Sequence, residues 1–238
     1  MATLLSSIET QARRHLIETT ASFWSSAEII DIENKGIFDL WRDIVNLKEE
    51  HFLTIDTTNV SLAADTSTLT GVPADVHKVY LIEPLDTSPD SDNRNLEFIP
   101  KDYHHVLFKN ARTRDPIDPS NDTIFYAPIG AGAPTGTGST TIQVAPQVNA
   151  AVSLRFCYVP VIAALTASGT VPIPGEADNA LIAWTVAFAR AKEREDRSPD
   201  PSWLAVYATE KAHLLESLGL RQLQEPKIVD GLFDDYWS

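Results

Sequence analysis

Apolar residues in the first stretch of the chain recur at helical intervals. Leu5, Ile8, Ala12 and Leu16 fall three or four residues apart, which predicts a first helix over about 4–19, with Ser6 and Glu9 spaced as a capping box. Ile30, Ile37, Trp41 and Ile44 set out the apolar stripe of a second helix over about 26–50. Its start carries a full set of entry signals. Ser25 can accept from the free N–H groups of the first turn and Glu28 can reach back to the Ser25 N–H, while Trp24 and Ile29 stand where a hydrophobic staple forms. Together the two helices make a hairpin.

From His51 the texture changes to short β-rich runs separated by Pro, Gly, Asp and Asn. The predicted strands are Phe52–Asp56, Lys78–Ile82, Tyr103–Lys109, Thr123–Tyr126, Thr140–Val144 and Val152–Val159. In the last, Val152, Leu154, Phe156 and Tyr158 alternate with Ser153, Arg155 and Cys157, the mark of a half-buried strand. Two stretches read as loop tips, the acidic Pro84–Asn95 and the Gly-, Pro- and Thr-rich Gly130–Gly138.

After Pro174 the helical period returns. Leu181, Trp184 and Phe188 share a predicted face, and Arg190–Arg197 is a charged end. Asp200 then caps a further helix with Pro201 at its first position, Leu204, Tyr207, Leu214 and Leu218 as its stripe and Gly219 as its stop. The fold class expected is α+β. N- and C-terminal helical hairpins (1–50 and 175–221) form a four-helix core, an antiparallel β-sandwich or barrel-like insertion spans 51–174, and an extended C-terminal arm covers 222–238. That arm is acidic, aromatic and too short for a core of its own. It either folds back on its own domain or serves as an arm for a neighbouring chain.

Composition narrows the function. With 238 residues and 43% hydrophobic content the chain can bury a sizeable core. A formal net charge of −14 argues against a nucleic-acid-binding surface, because such binding needs Lys and Arg to neutralise phosphates. It is compatible with a wall that DNA slides past. Cys157, the single cysteine, allows no intrachain disulfide and no structural zinc finger, and reads as a small core residue. No signal peptide or transmembrane-length run is read, so synthesis in a reducing cytoplasm is expected.

The candidate chemistry is sparse. His104 and His105 lie on a predicted strand, where neighbours face opposite ways and cannot share a metal. Gly130–Gly136 lacks the Lys-Ser/Thr ending of a phosphate loop, and Pro134 removes a donor. Pro116 and Pro119 break the calcium-loop spacing of Asp115, Asp118 and Asp122, which favours turns. Asp234 and Asp235 are paired carboxylates in the arm, away from any expected pocket. No catalytic, cofactor-binding or metal-ligating residue is expected, and the chain is read as an assembly protein rather than an enzyme.

Three segments carry a family resemblance. They are Trp24-Ser25-Ser26-Ala27-Glu28-Ile29-Ile30 with Asn34-Lys35-Gly36 one turn later, Leu69-Thr70-Gly71-Val72-Pro73-Ala74-Asp75-Val76 before a strand, and Val171-Pro172-Ile173-Pro174 with the helix bearing Leu181 and Ala189. In that order, over most of the chain from Ala21 to Leu218, they resemble the head-to-tail adaptor (head-completion, or connector) proteins of tailed bacteriophages.

The resemblance implies a structural virion protein, made in the host cytoplasm. It implies a ring, commonly dodecameric, under the portal protein, which extends the DNA channel and offers a platform to tail-tube, nozzle or other tail proteins. Genomic DNA would pass through without specific binding, and no cofactor is implied. Given that family, the apolar and aromatic residues of the arm, Ile228, Val229, Leu232, Phe233, Tyr236 and Trp237, are the expected portal contacts. Other readings of the sequence are a tail-completion or nozzle ring protein and a carbohydrate-binding or hydrolytic β domain on a helical support.

Overall fold

The computed structural model describes residues 3–18, 23–85, 96–118, 123–129, 140–194 and 197–220. Most of the acidic loop tip, the Gly-rich loop tip and the C-terminal arm lie outside these residues. The described chain is mixed α+β, with five α-helices and two sheets. It divides into two compact units, the described parts of Met1–Lys48 with Leu165–Ser238, and Glu49–Ala164.

The helical unit contains α1 (Leu5–His15), α2 (Ser26–Leu47), α4 (Asp178–Arg190) and α5 (Pro201–Leu220). The capping box that starts α2 is formed. Ser25 Oγ accepts from the Glu28 N–H at 3.3 Å, and Glu28 Oε2 accepts from the Ser25 N–H at 2.9 Å. The α5 start is also as expected: Asp200 Oδ1 accepts from the Ser202 N–H at 2.9 Å, just ahead of Pro201 at the first helical position.

Helix α1 begins differently. Its N-cap is Leu4, without a side-chain cap, so Ser6 and Glu9 form no capping box. Backbone partners far along the chain take the free donors instead: Leu5 N–H donates to Gly169 O and Ser6 N–H to Ala167 O. Leu4 bridges Thr170, and Val171 N–H donates to Thr3 O. These bonds hold residues 165–174, assigned above to the insertion, against the helices, and Leu165 onward belongs to the helical unit.

Helices α1, α2 and α5 each pack on α4. Nearly every α4 residue from Ala180 to Ala189 is buried, whereas Trp184 and Phe188 are half-buried. A helix apolar all round belongs inside a packed unit rather than at its rim. Four alanines on α4 (Ala180, Ala183, Ala187 and Ala189) keep its surface low, so neighbouring helices can approach closely.

The β unit contains β1 (Thr54–Asp56), β2 (Ser61–Leu62), β3 (Leu69–Thr70), β4 (Val76–Pro84), β5 (Glu97–Pro100), β6 (Thr123–Ile129), β7 (Thr141–Ala145) and β8 (Val152–Pro160). The long strand β8 pairs antiparallel with β1, β2 and β4, and β2 pairs with β3. The other sheet runs β5-β6-β7. One apolar cluster draws on both sheets, with Leu62, Ile82, Phe98, Ile124, Ile142 and Phe156 among its buried members.

Three expectations are corrected in this unit. The β5–β6 pair is parallel, so the strands are not all antiparallel. Tyr103–Lys109 is not a strand: helix α3 spans Val106–Ala111. Asp102 O accepts from the His105 N–H, and His105 Nδ1 accepts from the Leu107 N–H at 3.2 Å, so a turn and a cap start a helix that buries Phe108 and Ala111. The predicted Phe52–Asp56 strand shortens to β1, after a 3-10 turn over Glu49–Phe52.

Candidate functional site

Two of the three segments behind the family resemblance, the one from Trp24 to Gly36 and the one that leads from Val171 into α4, meet along α2 and α4; Leu69–Val76 belongs to the β unit. Two indoles make reciprocal bonds there. Trp24 Nε1, at the entry to α2, donates to Ala189 O on α4 at 2.8 Å, and Trp184 Nε1 on α4 donates to Ile32 O on α2 at 3.0 Å. Gly36 lies directly against the Trp184 ring. Two residues before Gly36, the Asn34 side chain donates to Leu165 O at 3.0 Å and accepts from the Leu165 N–H at 2.7 Å. That paired amide contact fixes the segment leading to Val171-Pro172-Ile173-Pro174.

Two clefts open beside these contacts. The first, about 360 Å³, is lined by Asn34, Lys35, Phe38, Asp39 and Trp184. The second, about 440 Å³, is lined by residues that include Trp24, Glu28, Ile32, Phe188, Lys192 and Arg197. The Trp184 and Phe188 rings stack 4.2 Å apart, with Trp184 lining one cleft and Phe188 the other. Lys192 donates to Phe23 O at 2.7 Å and pairs with Glu28 at 3.0 Å. The backbone bond from Ser25, followed by the Lys192 bond, lowers the Glu28 carboxyl to about 2.

On α2 and α5, Asp39 accepts from Tyr207 Oη at 2.6 Å and from Lys211 Nζ at 2.8 Å, and Lys211 also pairs with Asp43. Burial opposes the Asp39 charge, but the Lys211 and Tyr207 hydrogen bonds outweigh it and hold the carboxyl below its usual range.

The deepest charges form a cluster between α1 and α2. Arg13 is buried and donates to Glu9 at 3.0 Å, to Glu18 at 3.3 Å and to Trp24 O at 3.0 Å. Glu18 also accepts from the Phe23 and Trp24 N–H groups. Glu33 is fully buried, and neither carboxyl oxygen has a hydrogen-bond partner. Burial, reinforced by the Glu9 charge and opposed by Arg13, pushes its carboxyl up to about 8. Sequence reasoning missed this cluster. Its signal was Glu33 itself, four residues after buried Ile29 and four before buried Ile37, a charged residue on an apolar stripe.

The expected portal contacts Ile228, Val229, Leu232, Phe233, Tyr236 and Trp237 lie outside the described residues, as do Asp122, Asp234, Asp235 and the Gly130–Gly136 run. His105 is the cap of α3. Asp115 and Asp118 are exposed, beside the bridge between Ile117 and Val148. Cys157 is buried, and burial, then the Glu83 charge, raises its thiol. Among the described residues no group of His, Cys, Asp and Glu is arranged to hold a metal ion, and no helix is long and apolar enough to cross a membrane. Compared with protein-family models and with curated proteins, the chain finds no match.

Proposed function

We propose that this chain is a structural virion protein, the head-to-tail adaptor of a tailed bacteriophage. It forms a ring, commonly dodecameric in such adaptors, under the portal, extends the DNA channel and provides the platform on which tail proteins attach. It acts by assembly and not by catalysis. In this reading the helices make a four-helix core that carries the head-to-tail contacts between subunits, and the β unit is a sandwich or barrel-like insertion. A heterologous interface of this kind closes into a ring when the rotation between subunits allows it.

One observation supports the reading above the others. The residues of the resemblance serve packing: Trp24 bonds Ala189, Gly36 seats Trp184, and Asn34 clasps Leu165. Residues held in such contacts build a scaffold, which supports an assembly role over a catalytic one. The net charge of −14 suits a channel that repels DNA and lets it slide.

Particle images of the purified protein with and without its portal test the proposal. Single subunits are expected alone, and rings with a central hole on the portal. Portals carrying one or two copies, without a closed ring, would overturn it.

A further inference from the structure

The second of these clefts, lined by Trp24 and Phe188, has the chemistry of a receptor for an acidic, aromatic peptide. Trp24, Ile32 and Phe188 supply apolar walls, and Lys192 and Arg197 supply positive charge. Its two carboxylates are already answered, Glu28 by Lys192 and Asp31 by Lys35 at 2.7 Å. Arg197 is exposed and makes no ion pair with any described residue. Among the described residues, Arg197 is therefore a cation of this cleft without an ionic partner, beside an apolar wall.

The chain itself contains a sequence of matching character. Leu232-Phe233-Asp234-Asp235-Tyr236-Trp237 sets two adjacent acids between apolar and aromatic residues. We infer that in the free subunit this stretch occupies the cleft of its own chain, with its rings against Trp24, Ile32 and Phe188 and its acids facing Arg197.

Chain length allows the contact within one subunit. Helix α5 runs back along α4: Asp200 N–H donates to Ala187 O at one end, and Ser217 Oγ to Glu176 at 3.4 Å at the other. Leu220 therefore lies toward the start of α4, and the cleft lies at its end. The 13 residues of α4 span about 20 Å at 1.5 Å each. From Leu220 to Phe233 is 233 − 220 = 13 residues, which extended reach about 40 Å. The arm can return over the length of α4 with slack, and no second copy is needed. Each aromatic ring placed in the cleft adds apolar burial, and the acids add charge complementarity with Arg197.

The test uses the full chain without portal, so it is independent of the adaptor reading. Phe233 is replaced by p-benzoylphenylalanine, the dilute protein is irradiated, and the cross-linked site is mapped by mass spectrometry. The expected adducts join position 233 to residues 24–32 or 184–192 of the same molecule. Adducts elsewhere in the chain, adducts between two chains, or none would overturn the inference. Arg197→Glu, checked for an unchanged melting temperature, should lower the yield about threefold, the effect of one exposed ion pair. Adding Asp234→Arg and Asp235→Arg to that variant should restore it. A yield indifferent to both changes would show that charge does not guide the arm to this cleft.

Discussion

Trp184 stands over Gly36 so closely that a methyl group built on the glycine would lie 2.7 Å from Trp184 Cδ1. The ring cannot easily give way. Its Nε1 is bonded to Ile32 O, and its faces and edges meet Phe188 and Tyr207. Alanine at position 36 would gain about 1 kcal/mol of helix propensity. Overpacking against a pinned indole costs about 1–3 kcal/mol. With the indole pinned the clash outweighs the gain, and Gly36→Ala should destabilise the helical unit by about 1 kcal/mol, at most about 2, in urea unfolding. An unchanged or higher midpoint would show that α2 and α4 can slide apart at this point.

Glu33 should give the protein an alkaline-sensitive stability. Its ordinary value is 4.5, and the folded carboxyl sits at about 8. Between those values the unfolded chain releases a proton that the folded chain keeps. The stability tied to this group is therefore fully present below pH 4.5, falls as pH rises, and is lost once pH passes 8. The slope is about 1.4 kcal/mol for each pH unit of the window. Glu33→Gln cannot ionise, so it should match the parent near pH 5, exceed it at pH 9, and show a flatter profile between. Denaturant melts of both proteins at these pH values decide it; parallel curves would mean that Glu33 titrates normally.

Arg13 holds two carboxylates in a largely buried place. Glu9 and Glu18 are both about nine-tenths buried, and both accept from its guanidinium. Removing the cation strands two buried negative charges, a loss of about 3–5 kcal/mol for a broken buried pair. Arg13→Met should lower the thermal midpoint sharply at neutral pH. Adding Glu9→Gln and Glu18→Gln should recover part of the loss, because the repulsion leaves with the charges. If the triple variant is no better than Arg13→Met, the arginine matters for its bond to Trp24 O and its packing.

What was legible in the sequence was what neighbouring residues settle among themselves. Ser25 and Glu28 are three apart and cap each other whatever the rest of the chain does, and Asp200-Pro201 starts α5 on the same terms. The alternation over Val152–Phe156 also held, because one face of β8 meets the core there; from Phe156 to Val159 both faces are buried and alternation stops.

The misses came from partners distant in sequence. Ser6 lost its capping role because carbonyls of Ala167 and Gly169 satisfy the start of α1. The parallel pairing of β5 with β6 depends on a connection that no local period encodes. His105 was read as a strand residue although Phe108 and Ala111, three apart, carried a weak helical signal. For the function, motif spacing could suggest a scaffold family, but the cleft needs Trp24 and Phe188 brought together across the chain.

The arm gives the proposed assembly its most direct test. Beyond α5 the sequence continues with Pro226 and then Ile228, Val229, Leu232, Phe233, Tyr236 and Trp237, the apolar residues proposed as portal anchors. An anchor of hot-spot quality contributes about 2–4 kcal/mol to a protein interface. Ordering the chain on binding offsets part of that gain. Around a ring, many arms bound at once hold through avidity, so even weak single contacts suffice. Deleting the residues after Gln224 is expected to leave a subunit that still folds and melts cooperatively, with a midpoint lowered by the loss of the arm's cleft contacts, and that is no longer retained by immobilised portal. Thermal melting and a portal pull-down, run side by side, separate the outcomes. A truncated chain that unfolds would make these residues part of the core, and one that folds and docks normally would make them dispensable; either result removes the arm from the portal contact.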